Sequence, residues 1–340
     1  MKTGLLSRFL GALALAGSFA APVNANDLEN SFDQLLGTDL RAPQLRPVVP
    51  VLPGPTSYNS SFEAQLAALA SPQMGRIGVS AVDLATGRNV QVLGSQPFPL
   101  ASTSKIAIVA TFLQGVDEGR YRLSDQFPLM VPVPSPKFST TIAPVRRGTM
   151  LSAQSLIELA ITRSDNQATD ALLAAVGGTS AVNRWIRMAG VSGFRLDRDI
   201  ATLVRDDGAI NPATTVDPRD STTPLAMTRL LTGLYRGEWL SPSSRAVLLG
   251  AMERCQTGKR RMRALLPDGA QVAHKTGTLS NTSSDVGIIR TPDGHAYAVA
   301  IYVTGQSGKS DRDSRIASIA RAIYDGYQTE SSSVRRTASR

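Results

Sequence analysis

Three short motifs along the chain bring together the residue types of serine acyl transfer. In chain order they are Ser102-Thr103-Ser104-Lys105, Ser164-Asp165-Asn166 and Lys275-Thr276-Gly277. A serine hydroxyl is a good nucleophile only when a neighbouring base takes its proton. The spacing from Ser102 to Lys105, at the start of a predicted helix, places both side chains on one helix face. Lysine can be that base if burial or a second cation lowers its pKa, and Lys275 would be the second cation.

The second motif has two interpretations. It lies just before a predicted helix, so Asp165 or Asn166 could simply cap that helix. Beside Ser102, however, the hydroxyl of Ser164 would carry a proton to the leaving nitrogen. The amide of Asn166 would then hold Lys105 and the acyl-side amide of the substrate.

The third motif ends a predicted strand, and an edge strand offers its backbone to an extended ligand. The Lys275 ammonium and the Thr276 hydroxyl would hold a substrate carboxylate. Gly277 leaves room for close approach of another backbone or of a ligand. The backbone N–H of Thr278, together with that of Ser102, would form an oxyanion hole.

Strands and helices must position these groups. Apolar periodicity predicts helices over residues 61–70, 102–115, 152–161, 166–176, 179–188, 223–234, 242–252 and 311–327. Strands are predicted over residues 76–84, 89–93, 271–276, 284–290 and 296–303. The predicted fold class is α/β, of the α+β type. An antiparallel five-stranded sheet is built from both chain ends and is flanked by helices. An all-helical lobe inserted between the ends would leave the active site in the cleft.

The ends of the chain differ in composition from its middle. Lys2 and Arg8 precede an apolar stretch and the small-residue site Val23-Asn24-Ala25, which predicts a cleaved signal peptide and a periplasmic or secreted protein. An uncleaved anchor is the alternative, although the apolar run is short for a span. The predicted organisation is a signal peptide at 1–25, a proline-rich tether at 26–57, a domain at 58–328 and a disordered basic tail at 329–340. Within the domain, residues 58–101 and 258–328 form the α/β lobe and 102–257 the helical lobe.

Composition narrows the possible partners. The formal net charge is +9, but the basic residues are scattered and accompany no nucleic-acid recognition motif, so we expect no nucleic-acid partner. The single cysteine, Cys255, excludes an internal disulfide, and with only His274 and His295 besides, a zinc site is not expected. We expect no metal, no other cofactor, no membrane span once the signal is removed, and a monomer.

The chain resembles the class A β-lactamase and penicillin-binding protein superfamily from about Ser61 to Tyr327. The motif trio is typical of that superfamily, and the resemblance extends to Arg195-Leu196-Asp197-Arg198, to Arg219-Asp220-Ser221-Thr222-Thr223-Pro224 and to His274. It implies small-molecule β-lactams or the D-alanyl peptides of peptidoglycan as substrates. It also implies an ion pair between Arg198 and Asp220 that closes an Ω-shaped loop, here called the Ω loop (residues 198–220).

The chain departs from that pattern in the Ω loop. No glutamate occurs from Ile161 to Gly237. The position of the water-activating glutamate of class A β-lactamases falls at Ile200, and the position of its companion asparagine falls near Val204. The carboxylates that remain in the loop, apart from Asp220, are those of Asp199, Asp206, Asp207 and Asp217. Acylation of Ser102 needs none of them, but hydrolysis of the resulting ester needs a base that positions water.

A second departure concerns the substrate carboxylate. The strand after the lysine motif lacks the arginine that many β-lactamases use there, and Arg261 is the candidate replacement, with a solvated surface residue as the alternative. Three hypotheses follow. The first is a serine β-lactamase with slow or unconventional deacylation, the second a D,D-peptidase or penicillin-binding protein, and the third a sensor that acylates without turnover.

Overall fold

The structure is a computed structural model that describes residues 46–47, 60–72 and 74–338. The predicted signal peptide and most of the proline-rich tether lie outside the described residues. Within the tether, Arg46–Pro47 form a two-residue strand that pairs with Thr215–Val216. None of the helices in the described ranges combines the length and the apolar character that a membrane span requires.

The strands are numbered in chain order. They are β1 (Arg46–Pro47), β2 (Arg76–Asp83), β3 (Asn89–Val92), β4 (Phe98–Pro99), β5 (Gln126–Pro132), β6 (Val145–Ser152), β7 (Phe194–Arg195), β8 (Thr215–Val216), β9 (Ser221–Thr222), β10 (Gln271–Leu279), β11 (Thr282–Arg290) and β12 (Ala296–Thr304).

The helices are likewise numbered in chain order, and most begin after a polar residue whose side chain caps the first turn. They are α1 (Ser61–Leu69), α2 (Lys105–Asp117), α3 (Ala153–Thr162), α4 (Asn166–Val176), α5 (Thr179–Met188), α6 (Ile200–Arg205), α7 (Pro224–Arg236), α8 (Pro242–Glu253) and α9 (Lys309–Ala338). Ser241 caps α8 and Pro242 occupies its first turn, as the sequence predicts. Asp165 caps α4 by accepting from the Ala168 N–H, so this part of the second motif has the capping role.

The central sheet has the strand order β10-β11-β12-β2-β3, and every pairing in it is antiparallel. Strands from both chain ends therefore meet where β2 pairs with β12, which confirms the predicted five-stranded sheet. One hydrophobic cluster joins a sheet face to α1 and α9, and a second joins the opposite face to the middle of the chain. Strand β10 lies at the edge of the sheet, so one side of its backbone faces the intervening lobe.

The middle lobe is not all-helical, contrary to the prediction. β5 and β6 form an antiparallel ribbon whose register shifts between Pro128 and Met130, and β4, β9 and β7 form a small second sheet. Proline lacks the N–H that a ladder requires, which obscures the strand pattern of β5 in the sequence. The ribbon packs its apolar side chains on the core, where the Phe127 ring meets Phe112 edge-on at 5.7 Å.

The C-terminal segment also differs from the prediction. Helix α9 continues to Ala338 and so includes most of the stretch from 329 to 340 that was expected to be disordered. The Arg88 guanidinium donates to Glu330 at 2.8 Å, which holds the helix against the turn after β2. This contact joins residues that are distant in sequence, and the polar composition of the tail gave no sign of it.

Candidate active site

The predicted nucleophile lies on a strained turn. Ser102 is half-buried in a short 3-10 turn, Ala101–Ser104, that runs directly into α2. Ala101, immediately before it, has φ +47°, a left-handed conformation that residues with a Cβ rarely adopt. Such strain persists only where surrounding contacts impose it, and it often occurs at functional sites. The turn lies beside β10, close to Gly277.

Gly277 permits the close contact between this turn and β10. A Cβ at that position would lie 2.4 Å from the Ser284 hydroxyl oxygen, 3.0 Å from Ala101 Cβ and 3.2 Å from the Leu100 carbonyl oxygen. No side chain fits in that space. The glycine of the third motif therefore places the lysine strand directly beside the turn that carries Ser102.

Lys105 is fully buried and points into the second motif. Its Nζ donates to the Ser164 carbonyl oxygen at 2.6 Å and to Asn166 Oδ1 at 2.7 Å. Burial, and then the charge of Lys275, hold the pKa of Lys105 well below its ordinary value. The charge of Asp170 acts in the opposite direction. A lysine whose pKa is lowered loses its proton more readily, and its neutral amine can act as a base.

Ser164 lies between the two lysines. Its hydroxyl oxygen accepts from Lys275 Nζ at 2.9 Å and faces Lys105 Nζ at 3.3 Å. Its backbone has φ +59°, and it directs both its carbonyl and its hydroxyl at Lys105. Lys275 is also buried, and desolvation lowers its pKa to about 8. The Ser164 hydroxyl therefore links the amines of Lys105 and Lys275, and a proton can pass between them through it.

Arg261 does not stand free for a ligand. It is buried, with its Nε on Asp313 at 2.6 Å and its Nη1 on the carbonyl oxygens of Gly277 and Ser284 at 2.9 and 3.0 Å. Its Nη2 donates to the exposed Thr278 hydroxyl at 2.8 Å. The solvated alternative is therefore wrong. The guanidinium stabilises the end of β10 and orients the Thr278 hydroxyl. Because Thr278 is exposed and Arg261 is buried, a substrate carboxylate would contact the hydroxyl first.

The Ω loop is closed by the expected ion pair. Arg198 Nε lies 2.6 Å from Asp220 Oδ2, and Asp220 Oδ1 accepts from the N–H groups of Asp197 and Arg198. The Asp220 carbonyl oxygen accepts from the Leu100 N–H at 2.7 Å, two residues before Ser102. The base of the loop is thus hydrogen-bonded to the segment that holds the nucleophile.

The carboxylates within the Ω loop are engaged elsewhere. Asp199 caps α6 through Thr202, Asp206 pairs with Arg205, and Asp217 pairs with Arg219. Asp207 accepts from the Ser280 N–H, beyond the end of β10. Each of these four carboxylates thus has a partner within the loop or at its rim.

Sequence analysis did not identify Asp170, a buried aspartate whose charge raises the pKa of Lys105. It lies one helical turn beyond Asn166 in α4, and its two oxygens accept from the N–H groups of Ile200 and Ala201, both at 2.8 Å. Burial raises the pKa of Asp170 to about 7. The four-residue spacing from Asn166 was the available signal, but the connection to Ile200 exists only in three dimensions.

Ile200, the residue that the resemblance aligns with the glutamate, has a hydrocarbon side chain. It is the first residue of α6, it is 2% exposed, and it belongs to the core cluster of the middle lobe. An isoleucine can neither accept a proton nor orient a water molecule.

Comparison with known proteins places this geometry in a family. The model of the Beta-lactamase enzyme family matches residues 61–327. The chain belongs to this family. It is 33% identical over 271 residues to β-lactamase CTX-M-25 of Escherichia coli, and 32% identical over 271 residues to β-lactamase CTX-M-6 of Salmonella typhimurium. Each alignment covers 79% of this chain and 90% of the relative.

Solved structures agree with the family assignment. An ancestral class A β-lactamase superposes with a TM-score of 0.69 at 35% identity, covering 78% of this chain and all of the other. A β-lactamase from Chitinophaga pinensis gives a TM-score of 0.69 at 26% identity, covering 79% of this chain and all of the other. This β-lactamase-family chain is accordingly a serine hydrolase of the class A superfamily.

Proposed function

We propose that this β-lactamase-family enzyme opens the amide bond of β-lactams through a covalent ester on Ser102. The observation that carries the proposal is the convergence of Lys105 and Lys275 on the Ser164 hydroxyl, beside the strained turn that bears Ser102. The names of its class A relatives support the β-lactam substrate class. The domain would work outside the cytoplasm, for which the sequence pattern at the N-terminus is the support, and we propose a monomer.

The acylation step that we propose uses these groups in the following order. Neutral Lys105 accepts the Ser102 hydroxyl proton while Oγ attacks the carbonyl carbon. The N–H groups of Ser102 and Thr278 stabilise the oxyanion. The amide C–N bond then breaks, and Ser164 donates its proton to the leaving nitrogen. Ser164 regains a proton from one of the two ammonium groups to which it is hydrogen-bonded.

Substrate capture would use the far end of the site. The Lys275 ammonium and the hydroxyls of Thr276 and Thr278 present donors to a carboxylate along the edge of β10. Asn166 has its carbonyl oxygen on Lys105, so its N–H₂ group remains to meet the acyl-side amide of the substrate. Arg261 would act by orienting Thr278.

Release of the acyl group would be slow. Hydrolysis of the ester needs a base that positions water, and Ile200 occupies the position where class A relatives carry it. This observation also favours a second function, a D,D-peptidase or penicillin-binding protein that acts on D-Ala-D-Ala peptides. A third alternative is a sensor that is acylated without turnover.

One experiment distinguishes these functions. The mature protein is incubated with a chromogenic cephalosporin while colour and intact mass are followed together. We expect a stoichiometric burst and a mass increase that decays slowly. Many turnovers with no lasting adduct would establish an efficient β-lactamase and refute the inference from Ile200. A permanent adduct, with release of D-alanine from a peptide substrate, would establish the peptidase.

Two matched variants test the site. Ser102→Ala should abolish both the burst and the adduct. Ser104→Ala removes a hydroxyl from the same turn, one that donates to the Ala101 carbonyl at 2.9 Å, and should keep the adduct. An adduct that survives in Ser102→Ala would show that the nucleophile lies elsewhere.

A further inference from the structure

Between Asp206 and Asn211, the Ω loop contacts both walls of the cleft. One wall is β10, which ends in a turn at residues 280–281. The other wall is α4, where Asn166 lies, together with the ribbon that packs on it. The tip of the ribbon, residues 133–144, and the turn after β10 both contact this part of the loop. The acylation mechanism above uses none of these contacts.

Two side chains of the loop bind the turn after β10. The Asp207 carboxylate accepts from the Ser280 N–H through both oxygens, at 2.9 and 3.0 Å. Four residues later, Asn211 Oδ1 accepts from Asn281 Nδ2 at 2.8 Å. A hydrogen bond to a charged acceptor is about twice as strong as one between neutral groups, so Asp207 makes the stronger of the two contacts.

The same part of the loop contacts the ribbon tip. Lys137 Nζ donates to the Asp207 carbonyl oxygen. Gly208 is in the left-handed region, with φ +81°, and a Cβ built on it would lie 3.5 Å from Ser280 Oγ and 3.7 Å from Lys137 Nζ. Lys137 and Ser280 therefore approach Gly208 from opposite walls. We call this contact of Lys137, Asp207, Gly208 and Ser280 the bridge.

Further hydrogen bonds hold the ribbon tip on the loop. The Phe138 N–H donates to Asp206 Oδ1 at 3.1 Å, and the Ala143 N–H donates to Thr202 Oγ1 at 2.8 Å. The bridge is therefore supported at two more points on the ribbon side.

The bridge lies at the acyl end of the proposed substrate path. Under the proposed function, the substrate carboxylate meets Lys275 and Thr276, and the reacting carbonyl meets the Thr278 N–H. In a β-lactam the carboxylate lies on the nitrogen side of the reacting amide, and the acyl side chain lies on its carbonyl side. The side chain therefore points onward along β10, towards Leu279 and Ser280. Two residues of strand span about 7 Å, which is the length of edge between Thr278 and the bridge.

A cavity lies beyond the bridge. It is lined by Phe138, Ile210 and Leu279 and by the bridge residues Gly208 and Ser280. Among the described residues that line it, none belongs to the three motifs. Opening of the bridge would add this space to the cleft.

We propose that Asp207, through the bridge, restricts the site to β-lactams with a compact acyl side chain. The inference rests on the proposed function, which sets the direction of the substrate along β10. A branched, aryl-bearing side chain that extends beyond about 7 Å would have to displace Asp207 from Ser280 and would break that charged hydrogen bond. Asp207 contacts none of the reacting atoms, so it is a positioning residue that determines specificity.

The first test measures the bridge without any substrate. Amide hydrogen exchange at Ser280 is followed by NMR in the wild type, Asp207→Ala and Asp268→Ala. Asp268 is an exposed carboxylate before the start of β10, so its removal changes the net charge equally and leaves the bridge in place. We expect exchange at Ser280 to become about tenfold faster in Asp207→Ala alone, because the hydrogen bond to a charged acceptor is lost. Equal exchange rates in the three proteins would overturn the bridge.

The second test measures selection between substrates. Two cephalosporins with the same nucleus are compared, one with an acetyl side chain and one with a branched, aryl-bearing side chain, and the second-order acylation constant of each is measured by intact mass. The wild type should prefer the acetyl compound. Asp207→Ala should raise the constant of the bulky compound by about tenfold or more and leave that of the acetyl compound nearly unchanged. Asp207→Asn keeps an oxygen that can accept from Ser280 and should retain most of the wild-type preference.

Other results would contradict the proposal. Equal constants for the two compounds in the wild type, or a change by the same factor for both in Asp207→Ala, would overturn the selection. A change of their ratio in Asp268→Ala as large as in Asp207→Ala would attribute the effect to charge alone and would also overturn it. Absence of acylation by either compound would overturn the proposed function and, with it, the selection of acyl groups, whereas exchange at Ser280 would still decide whether the bridge exists.

Discussion

The Asp170→Asn substitution should remove part of the pH dependence of the free energy of unfolding. Asp170 is 5% exposed, and it accepts two backbone N–H groups at the start of α6. Burial raises its pKa from 3.8 to about 7. The folded protein therefore binds this proton more tightly than the unfolded chain does. Its contribution to stability is complete below pH 3.8 and is lost as the pH rises through about 7.

The magnitude follows from the size of that shift. A change of about three pKa units corresponds to about 4 kcal/mol of unfolding free energy. Asparagine cannot ionise, and its single oxygen accepts one N–H where the carboxylate accepts two, which costs about 1–3 kcal/mol at every pH. The variant should thus be less stable than wild type in acid and should gain on it by about 4 kcal/mol between pH 4 and pH 8.

The measurement is urea unfolding of both proteins at several pH values, with the difference in unfolding free energy plotted against pH. Asp199→Asn is the comparison variant, because it neutralises the carboxylate that caps α6 and asparagine still caps a helix. Since the charge of Asp199 raises the pKa of Asp170, this variant should change the slope only slightly. A flat difference for Asp170→Asn, or an equal slope in the control, would refute the reasoning. A second readout is the acid limb of acylation, which should move to lower pH because Lys105 loses a charge that favours its protonated form.

Three further predictions concern the site and its support. Ile200→Glu restores a carboxylate and should shorten the lifetime of the acyl adduct about a hundredfold or more; an unchanged lifetime by intact mass would contradict this. Gly277→Ala places a Cβ 2.4 Å from a serine hydroxyl of the next strand and should cost about 1–3 kcal/mol and slow acylation, whereas Gly250→Ala, whose Cβ meets only a flexible guanidinium, should not slow it. Arg198→Ala removes the ion-pair partner of the buried Asp220 and should lower stability by about 3–5 kcal/mol in thermal unfolding. A loss below about 1 kcal/mol would show that the Arg198–Asp220 pair does not stabilise the loop.

Local patterns predicted most of the fold and part of the site. The central sheet and most helices follow from periodicity along the sequence, whereas the pairing of Arg198 with Asp220 was implied by the family resemblance. The ribbon was missed because Pro128 and Pro132 interrupt its first strand. The tail was predicted as disordered from its polar composition. The contact between Arg88 and Glu330 could not be foreseen, because it joins residues at the two ends of the domain.

What the sequence could not reveal was the second layer of charges. Asp170 accepts from the Ile200 N–H of the Ω loop, across a separation of 30 residues in the sequence. His274 and Asp285 lie 2.7 Å apart because β10 pairs with β11. Such clusters depend on distances between segments, and spacing along the chain carries no information about those distances.

The hydrogen bond from the Leu100 N–H to the Asp220 carbonyl has an evolutionary consequence. Both ends of the Ω loop are fixed, one by the ion pair of Arg198 with Asp220 and the other by the nucleophile segment. Because the entropy of loop closure grows slowly with length, residues can be inserted between these clamps at little cost and without moving Ser102. Asp207, which accepts from the Ser280 N–H past the end of β10, illustrates how residues of the loop can form contacts at the rim of the site. Selection can thus change which substrates enter the cleft while the acylating groups stay in place.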